Sequence, residues 1–480
     1  MTPELSTTES QSETSTLNQK MFNGFPWIPS LLVYSLSWGW SLLRPSTLYW
    51  DDWAYIFNKP KSYLNEIFVE TGLPPWRALI DQELLSMGYW TIRWLTFIMF
   101  FVAGMFLFEI LKKVSIFSAT QRRQIVLLFL IIPVNHARIA LVMFGYTTSY
   151  FLFFLGWLIL VRYKSVKSFV LAWLVLFLSL ETHSLLFFVL LPFLHFVCLN
   201  KTQVANSRKL NTRHLQVSVI AAMPIIYLIL RKFFWPPTIG FEDYHKPTSA
   251  GLLTGLWPIL IGLFLGLIVE IRIRRKKFVH QGLIVFVVGF LVTALALFPY
   301  FAGELYVGYA GRPSFITVFE FRADWRSRHQ LLMPLGLTLS VVGLNELFKL
   351  KKNKNVFAGF IIVVSVALNM FWGSQYFLQS HKQEKLVELF KSTKGNLVVA
   401  SVGDSTLRFN GRENDFRNFE WDGLMTLAGI PTDRPGCEAL PNGSVVVVKS
   451  DKPYLSALIS RDLDLYFDVT PCSEVLAKDS

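Results

Sequence analysis

The feature that most limits how this chain can fold is the recurrence of long apolar segments separated by short basic loops. The segments lie at residues 27–43, 88–111, 124–140, 146–161, 168–183, 185–199, 217–230, 251–270, 281–300, 331–348 and 356–376. A helix needs ~20 apolar residues to cross a hydrocarbon core of roughly 30 Å. Composition points the same way. The chain is 52% hydrophobic and 16% charged, with mean hydropathy +0.42, against roughly 25% charge in a soluble domain. The sequence therefore predicts a polytopic α-helical membrane protein with 11 transmembrane helices.

Loop charge orients these segments. Lys112, Lys113, Arg122 and Arg123 share one loop, and Arg162, Lys164 and Lys167 another. Three more basic loops hold Lys201, Arg208, Lys209 and Arg213; Arg272, Arg274, Arg275, Lys276 and Lys277; and Lys349, Lys351, Lys352 and Lys354. Loops rich in Lys and Arg stay in the cytoplasm, and these alternate with the remaining loops. The N-terminus is then cytoplasmic, and the loop after the first segment and everything after residue 376 are extracytoplasmic. This bias also absorbs the net charge of +13, so no nucleic-acid partner is implied.

Residues 168–199 lie between two basic loops and must cross twice, with only about 15 residues per crossing. The turn Leu180-Glu181-Thr182-His183-Ser184 should therefore lie inside the protein. Residues 124–161 make a similar hairpin, with Asn135-His136-Ala137-Arg138 in its outer half. In the first outer loop, two amphipathic helices should lie on the membrane surface, separated by Pro74-Pro75. Residues 1–20 are rich in Ser, Thr and Glu and read as a disordered cytoplasmic tail. Residues 21–376 form the membrane domain. From 377 to 480, a helix at 382–393 and the β-type runs Leu397 to Val402 and Val445 to Val448 suggest a small α/β extracytoplasmic domain. Cys437 and Cys472 fall in it, where a disulfide or two thiols are both open. Asn442-Gly443-Ser444 is a glycosylation sequon relevant only in a eukaryotic cell.

Candidate chemistry gathers in the outer loops. Asp51 and Asp52 sit within Leu48-Tyr49-Trp50-Asp51-Asp52-Trp53, just beyond the first segment. Carboxylates at a membrane face are costly unless used. Such a pair can serve as a general base, hold a divalent cation such as Mg or Mn, or form a solvated capping turn. Arg326, Arg328 and His329, with Arg322, make a basic cluster outside, suited to a phosphate or to lipid headgroups. His136, Arg138, Glu181 and His183 are ionisable or polar groups in the outer halves of the short hairpins, where functional use or mutual pairing are alternatives. Arg93, Lys246 and Glu304 are weaker candidates. The sequence has no GxxxxGK[ST], GxGxxG, GxSxG or HExxH motif and no CxxC or His/Cys cluster.

The combination of many spans, a cytoplasmic N-terminus, Asp51-Asp52 beyond the first span, two helices in the first outer loop and a terminal outer domain resembles the GT-C superfamily of integral-membrane glycosyltransferases. The resemblance implies a polyprenyl-phosphate-linked sugar donor and a glycan, lipid-linked or polymer acceptor. It also implies inverting transfer with one acid of the pair as base. Position favours Asp51, with Asp52 positioning the acceptor or helping to hold a metal. Arg326, Arg328 or Arg138 would neutralise the leaving phosphate. Asp404, Arg408, Arg412 and Arg417 would help the outer domain to bind a polymeric acceptor. The location implied is a plasma (inner) membrane. Rival readings are an O-antigen-type polymerase or ligase, a lipid-linked glycan flippase, and a non-catalytic scaffold.

Overall fold

A computed structural model describes residues 22–55, 62–163, 165–201, 210–238, 247–275, 280–303, 325–348, 356–392, 397–400, 418–429, 444–450, 465–471 and 473–474. Its first half contains α1 (Trp27–Trp38), α2 (Ser62–Glu70), α3 (Pro75–Ser86), α4 (Tyr89–Leu111), α5 (Ala119–Ile131), α6 (Phe144–Arg162), α7 (Val166–Leu178) and α8 (Leu190–Lys201). There follow α9 (Leu210–Phe234), α10 (Ser249–Arg274), α11 (Gln281–Ala302), α12 (Met333–Leu347), α13 (Val356–Ser392) and α14 (Asn418–Ala428). Among the described residues, six helical stretches are long and apolar enough to cross a membrane: Tyr89–Leu111, Leu141–Arg162, His214–Phe234, Ser249–Arg274, Gln281–Ala302 and Val356–Ser392. The chain is a multi-pass helical membrane protein. Apolar α12 is shorter, at 15 residues.

The expected hairpins owe their shape to short helices. α5 and α7 have 13 residues each, about 20 Å at 1.5 Å per residue. Each then gives way to a 3₁₀ turn, His136–Ile139 after α5 and Ser179–Thr182 after α7. Both turns lie inside the protein, as expected, with His136, Arg138, Leu180 and Glu181 buried.

Antiparallel succession sorts the termini into two ends. At one end, Glu109 of α4 meets Lys112 at 2.6 Å and Arg162 of α6 at 3.4 Å, and accepts the Phe22 N–H at 2.8 Å. The basic termini of α4 and α6 meet there. At the other end lie Trp50–Tyr55, the two hairpin turns and the 3₁₀ turn Trp325–Gln330. The core between the ends is aromatic: Phe100 and Phe129 stack at 5.2 Å, and both stack on Tyr150. α11 and α12 approach closely because Gly289, Gly336 and Gly343 leave room for the facing backbone.

Three elements differ from the sequence reading. α13 runs unbroken for 37 residues, about 55 Å, so the helix expected at 382–393 continues the last apolar segment. Beyond the membrane length it gains apolar partners of its own, Leu386 and Phe390 packing with Trp53 and Trp421. In α3 an ion pair faces inward. Arg77 and Asp81 are buried, whereas Leu79 and Ile80 are exposed; Leu84 and Leu85 pack inward with the Trp53 cluster. The β-type runs form one sheet with a strand not foreseen: β1 (Leu397–Ala400) pairs parallel with β2 (Ser444–Ser450), and β2 antiparallel with β3 (Leu465–Pro471).

Candidate functional site

The acid pair lies on a 3₁₀ turn, Trp50–Tyr55. With three residues per turn, adjacent side chains diverge by about 120°, and the two carboxylates are separated accordingly. Asp51 is half-buried, whereas Asp52 is completely buried. The Asp52 Oδ2 accepts the Tyr49 N–H at 3.1 Å, and Oδ1 accepts the Val142 N–H at 3.0 Å. The Arg93 guanidinium is 3.8 Å away. Arg93 also donates to the Pro45 carbonyl at 2.8 Å and to the carbonyls of Thr47 and Ile139. Asp52 and Arg93 thus tie residues 45–52 to residues 139–142. Burial pushes the Asp52 carboxyl up to about 6, against the lowering effect of Arg93 and the backbone donors. Trp50, just before the pair, has φ +50, a strained conformation for a bulky residue. It is held at an edge of the Tyr376 ring, 5.8 Å between centroids.

These contacts bear on the divalent-cation reading. Both Asp52 oxygens face backbone donors, and a guanidinium already balances its charge. The pair therefore does not offer two open carboxylates to one ion. Asp51 is the member with accessible surface.

A second ionic group connects this turn to the hairpins. The Tyr55 hydroxyl donates to Asp81 at 3.0 Å; Arg77 bonds Asp81 at 2.8 Å and Glu181 at 3.3 Å; the Ser149 hydroxyl donates to Glu181 at 3.4 Å. Burial raises the Asp81 carboxyl, against Arg77 and the Tyr55 hydrogen bond. Glu181 therefore pairs with Arg77, not with Arg138. The Arg138 guanidinium instead lies 3.4 Å from the Trp38 ring centroid and 4.0 Å from that of Phe100. His136 packs between Trp38 at 5.3 Å and Trp372 at 6.0 Å.

Beside the Ser179–Thr182 turn opens a cavity of about 630 Å³, within the range of ligand pockets. Its walls are mostly apolar, with Leu190, Phe193, Ile220, Leu228, Leu295 and Phe298 among them. Polar groups also line it: Thr182, His183, Ser184, Arg231, Tyr300 and Arg328. Pro224 of α9 and Pro299 of α11 line it too, each removing one backbone donor from its helix. His183 has φ +58, and its ring meets Tyr227 edge-on at 5.5 Å. Arg231 donates to the Gly72 carbonyl at 3.2 Å, which fixes it to the loop after α2. The turn bearing Arg328 is bonded to the first hairpin, Ser327 Oγ accepting the Ala137 N–H at 2.7 Å and Gln330 Oε1 accepting the Asn135 N–H at 3.1 Å.

Of the sequence candidates, His183 and Arg328 line the large cavity, and Glu181 adjoins it through Thr182. Arg138 does not line it. The side chains of Arg326 and His329 lie outside the described residues, as do Arg322, Lys246, Glu304, Asp404, Arg408, Arg412, Arg417, Asn442, Cys437 and Cys472. Sequence reasoning missed Arg77, Asp81, Arg231 and Tyr300. Signals existed for three: Arg77 and Asp81 stand four apart on α3, the spacing of a helical ion pair, and Arg231 is a cation at a helix end that the loop charges predict to be outside, where their bias does not place one. No family model matches this chain, and no curated protein or solved structure is significantly similar to it.

Proposed function

We propose that this protein is a membrane glycosyltransferase of GT-C type. It moves a sugar from a polyprenyl-phosphate donor to a glycan, lipid-linked or polymer acceptor on the extracytoplasmic face. The observation that carries this reading is the cavity of about 630 Å³, apolar along most of its wall and lined by Arg231, Arg328 and His183. Apolar walls suit a prenyl tail, and guanidinium groups suit its phosphate. The polar wall belongs to the same end of the bundle as Asp51, and the Tyr55–Asp81–Arg77–Glu181 chain joins the two.

In this reading the chain crosses the membrane eleven times, using α1, α5, α7, α8 and α12 as well as the longer helices. The N-terminus and the basic loops are cytoplasmic, and the sheet of β1 to β3 belongs to a small outer α/β domain. Asp51 removes the proton from the acceptor hydroxyl, which attacks the anomeric carbon. The donor phosphate departs with the bonding electrons, and Arg231 and Arg328 stabilise its charge. Asp52 holds the turn that presents Asp51.

Binding tests this reading. Protein in nanodiscs is exposed to a photoactivatable polyprenyl-phosphate sugar, and the labelled peptides are mapped. Labelling in α9 or α11, at least tenfold weaker in Arg231→Gln and Arg328→Gln, is expected. Labelling that both variants retain in full would remove the phosphate assignment. Movement of intact donor between leaflets without transfer would favour the flippase.

A further inference from the structure

Arg231, a cation of the large cavity, is tied down by a glycine. Its Nε–H donates to the Gly72 carbonyl at 3.2 Å. Gly72 is buried in the loop between α2 and α3 at φ +75, a conformation that glycine adopts readily and a residue with a side chain does not. A Cβ at residue 72 would meet Arg231 Nη2 at 2.7 Å and Pro237 N at 3.2 Å. The Pro237 nitrogen belongs to the backbone, so the guanidinium would have to move. In the native protein it stands against a bare Cα. Contact continues on both sides of this point. The Thr238 N–H donates to the Glu70 carbonyl at 3.0 Å, and the Trp76 and Trp235 rings meet edge to face at 5.4 Å. Residues 70–76 thus form a strap across the end of α9.

A guanidinium is a rigid, planar fork of donors. With Nε held on the Gly72 carbonyl, the fork keeps one orientation and its Nη groups remain for the cavity that Arg231 lines. Two-point contact with a phosphate depends on that orientation, and a side chain ordered in advance loses less freedom on binding. We infer that Gly72 is a positioning residue for the lipid phosphate: its carbonyl aims Arg231, and its missing side chain leaves the space in which the guanidinium stands. This inference rests on the reading of the large cavity as a polyprenyl-phosphate site and adds the residue that orients its arginine. The chain after the strap runs into Arg77 and Asp81, and Asp81 accepts from the Tyr55 hydroxyl. One segment therefore braces both the phosphate-binding cation and the acid turn.

Photolabelling titrations of the full chain in nanodiscs test this with two photoactivatable probes, a polyprenyl phosphate and the uncharged polyprenol of equal length. The parent should bind the phosphate probe about tenfold or more tightly than the polyprenol, the worth of a charge-assisted hydrogen bond. Gly72→Ala should lose most of that preference while its affinity for the polyprenol stays unchanged. Should that variant not fold, Arg231→Lys keeps the charge but not the fork, and should lose most of the preference too. Weakening of both probes alike in Gly72→Ala would mean that the glycine only supports the fold. A preference lost in Arg231→Gln but kept in Gly72→Ala or Arg231→Lys would overturn the positioning role and leave the phosphate site standing. No preference in the parent, or an undiminished one in Arg231→Gln, would instead remove the phosphate reading of the cavity, and this role with it.

Discussion

At the scale of residues, adjacent aspartates have opposite surroundings and should behave differently when replaced. Asp52 is buried against Arg93 and two backbone N–H groups. Asp52→Ala leaves that guanidinium uncompensated and should cost about 3–5 kcal/mol in unfolding experiments. Asp51→Asn, at a half-exposed position, should stay within about 1 kcal/mol of the parent. Acid titration adds a second check. The Asp52 carboxyl is raised from 3.8 to about 6 in the folded protein, so the folded state binds its proton more tightly than the unfolded chain. The resulting stability is fully present below about 3.8 and is lost as pH rises through about 6, by at most ~3 kcal/mol. Asp81 is raised too, so Asp52→Asn should flatten the slope of stability against pH without removing it. Identical slopes for parent and variant would show that Asp52 does not titrate in this way.

At the scale of elements, the acid turn is braced from the C-terminal side. α13 extends beyond membrane length, and its Gln383 donates to the Leu48 carbonyl at 2.7 Å. Gly423 of α14 lies so close to the Trp53 ring that any Cβ there would collide with it. Gly423→Val should therefore displace α14 from the turn, seen as faster amide hydrogen exchange in Asn418–Ala428, and should lower transfer along with it. An unchanged exchange rate would mean that α14 tolerates the side chain. These contacts explain what the sequence made legible. Apolar length and loop charge locate helices, because each is a local property of the chain. The pairing of Glu181 with Arg77 and the cage around Arg138 are not local: they join residues 104 apart in one case and three separate segments in the other. α3 is a related case: Arg77 and Asp81 have the spacing of an ion pair, but nothing local shows that Glu181 arrives from elsewhere to join it.

At the scale of the whole molecule, the two ends differ in chemistry. One carries basic helix termini and Phe22 at positive φ, and the other holds the cavity and the acid turn, with Trp50, Asn135 and His183 also at positive φ. The sidedness proposed from the loop charges can be read by labelling, in a background without the native cysteines. Ser86→Cys should react with an impermeant thiol reagent in intact cells, and Lys113→Cys only after permeabilisation. The reverse pattern would invert the topology. The central claim is that Asp51 acts as base on a donor whose phosphate Arg231 and Arg328 hold. The most direct measurement is transfer of radiolabelled sugar from a polyprenyl-phosphate donor by purified protein in nanodiscs. The account predicts at least a hundredfold loss of kcat in Asp51→Asn with the melting temperature unchanged, and a rise in donor KM in Arg328→Gln. Full transfer by Asp51→Asn would contradict it.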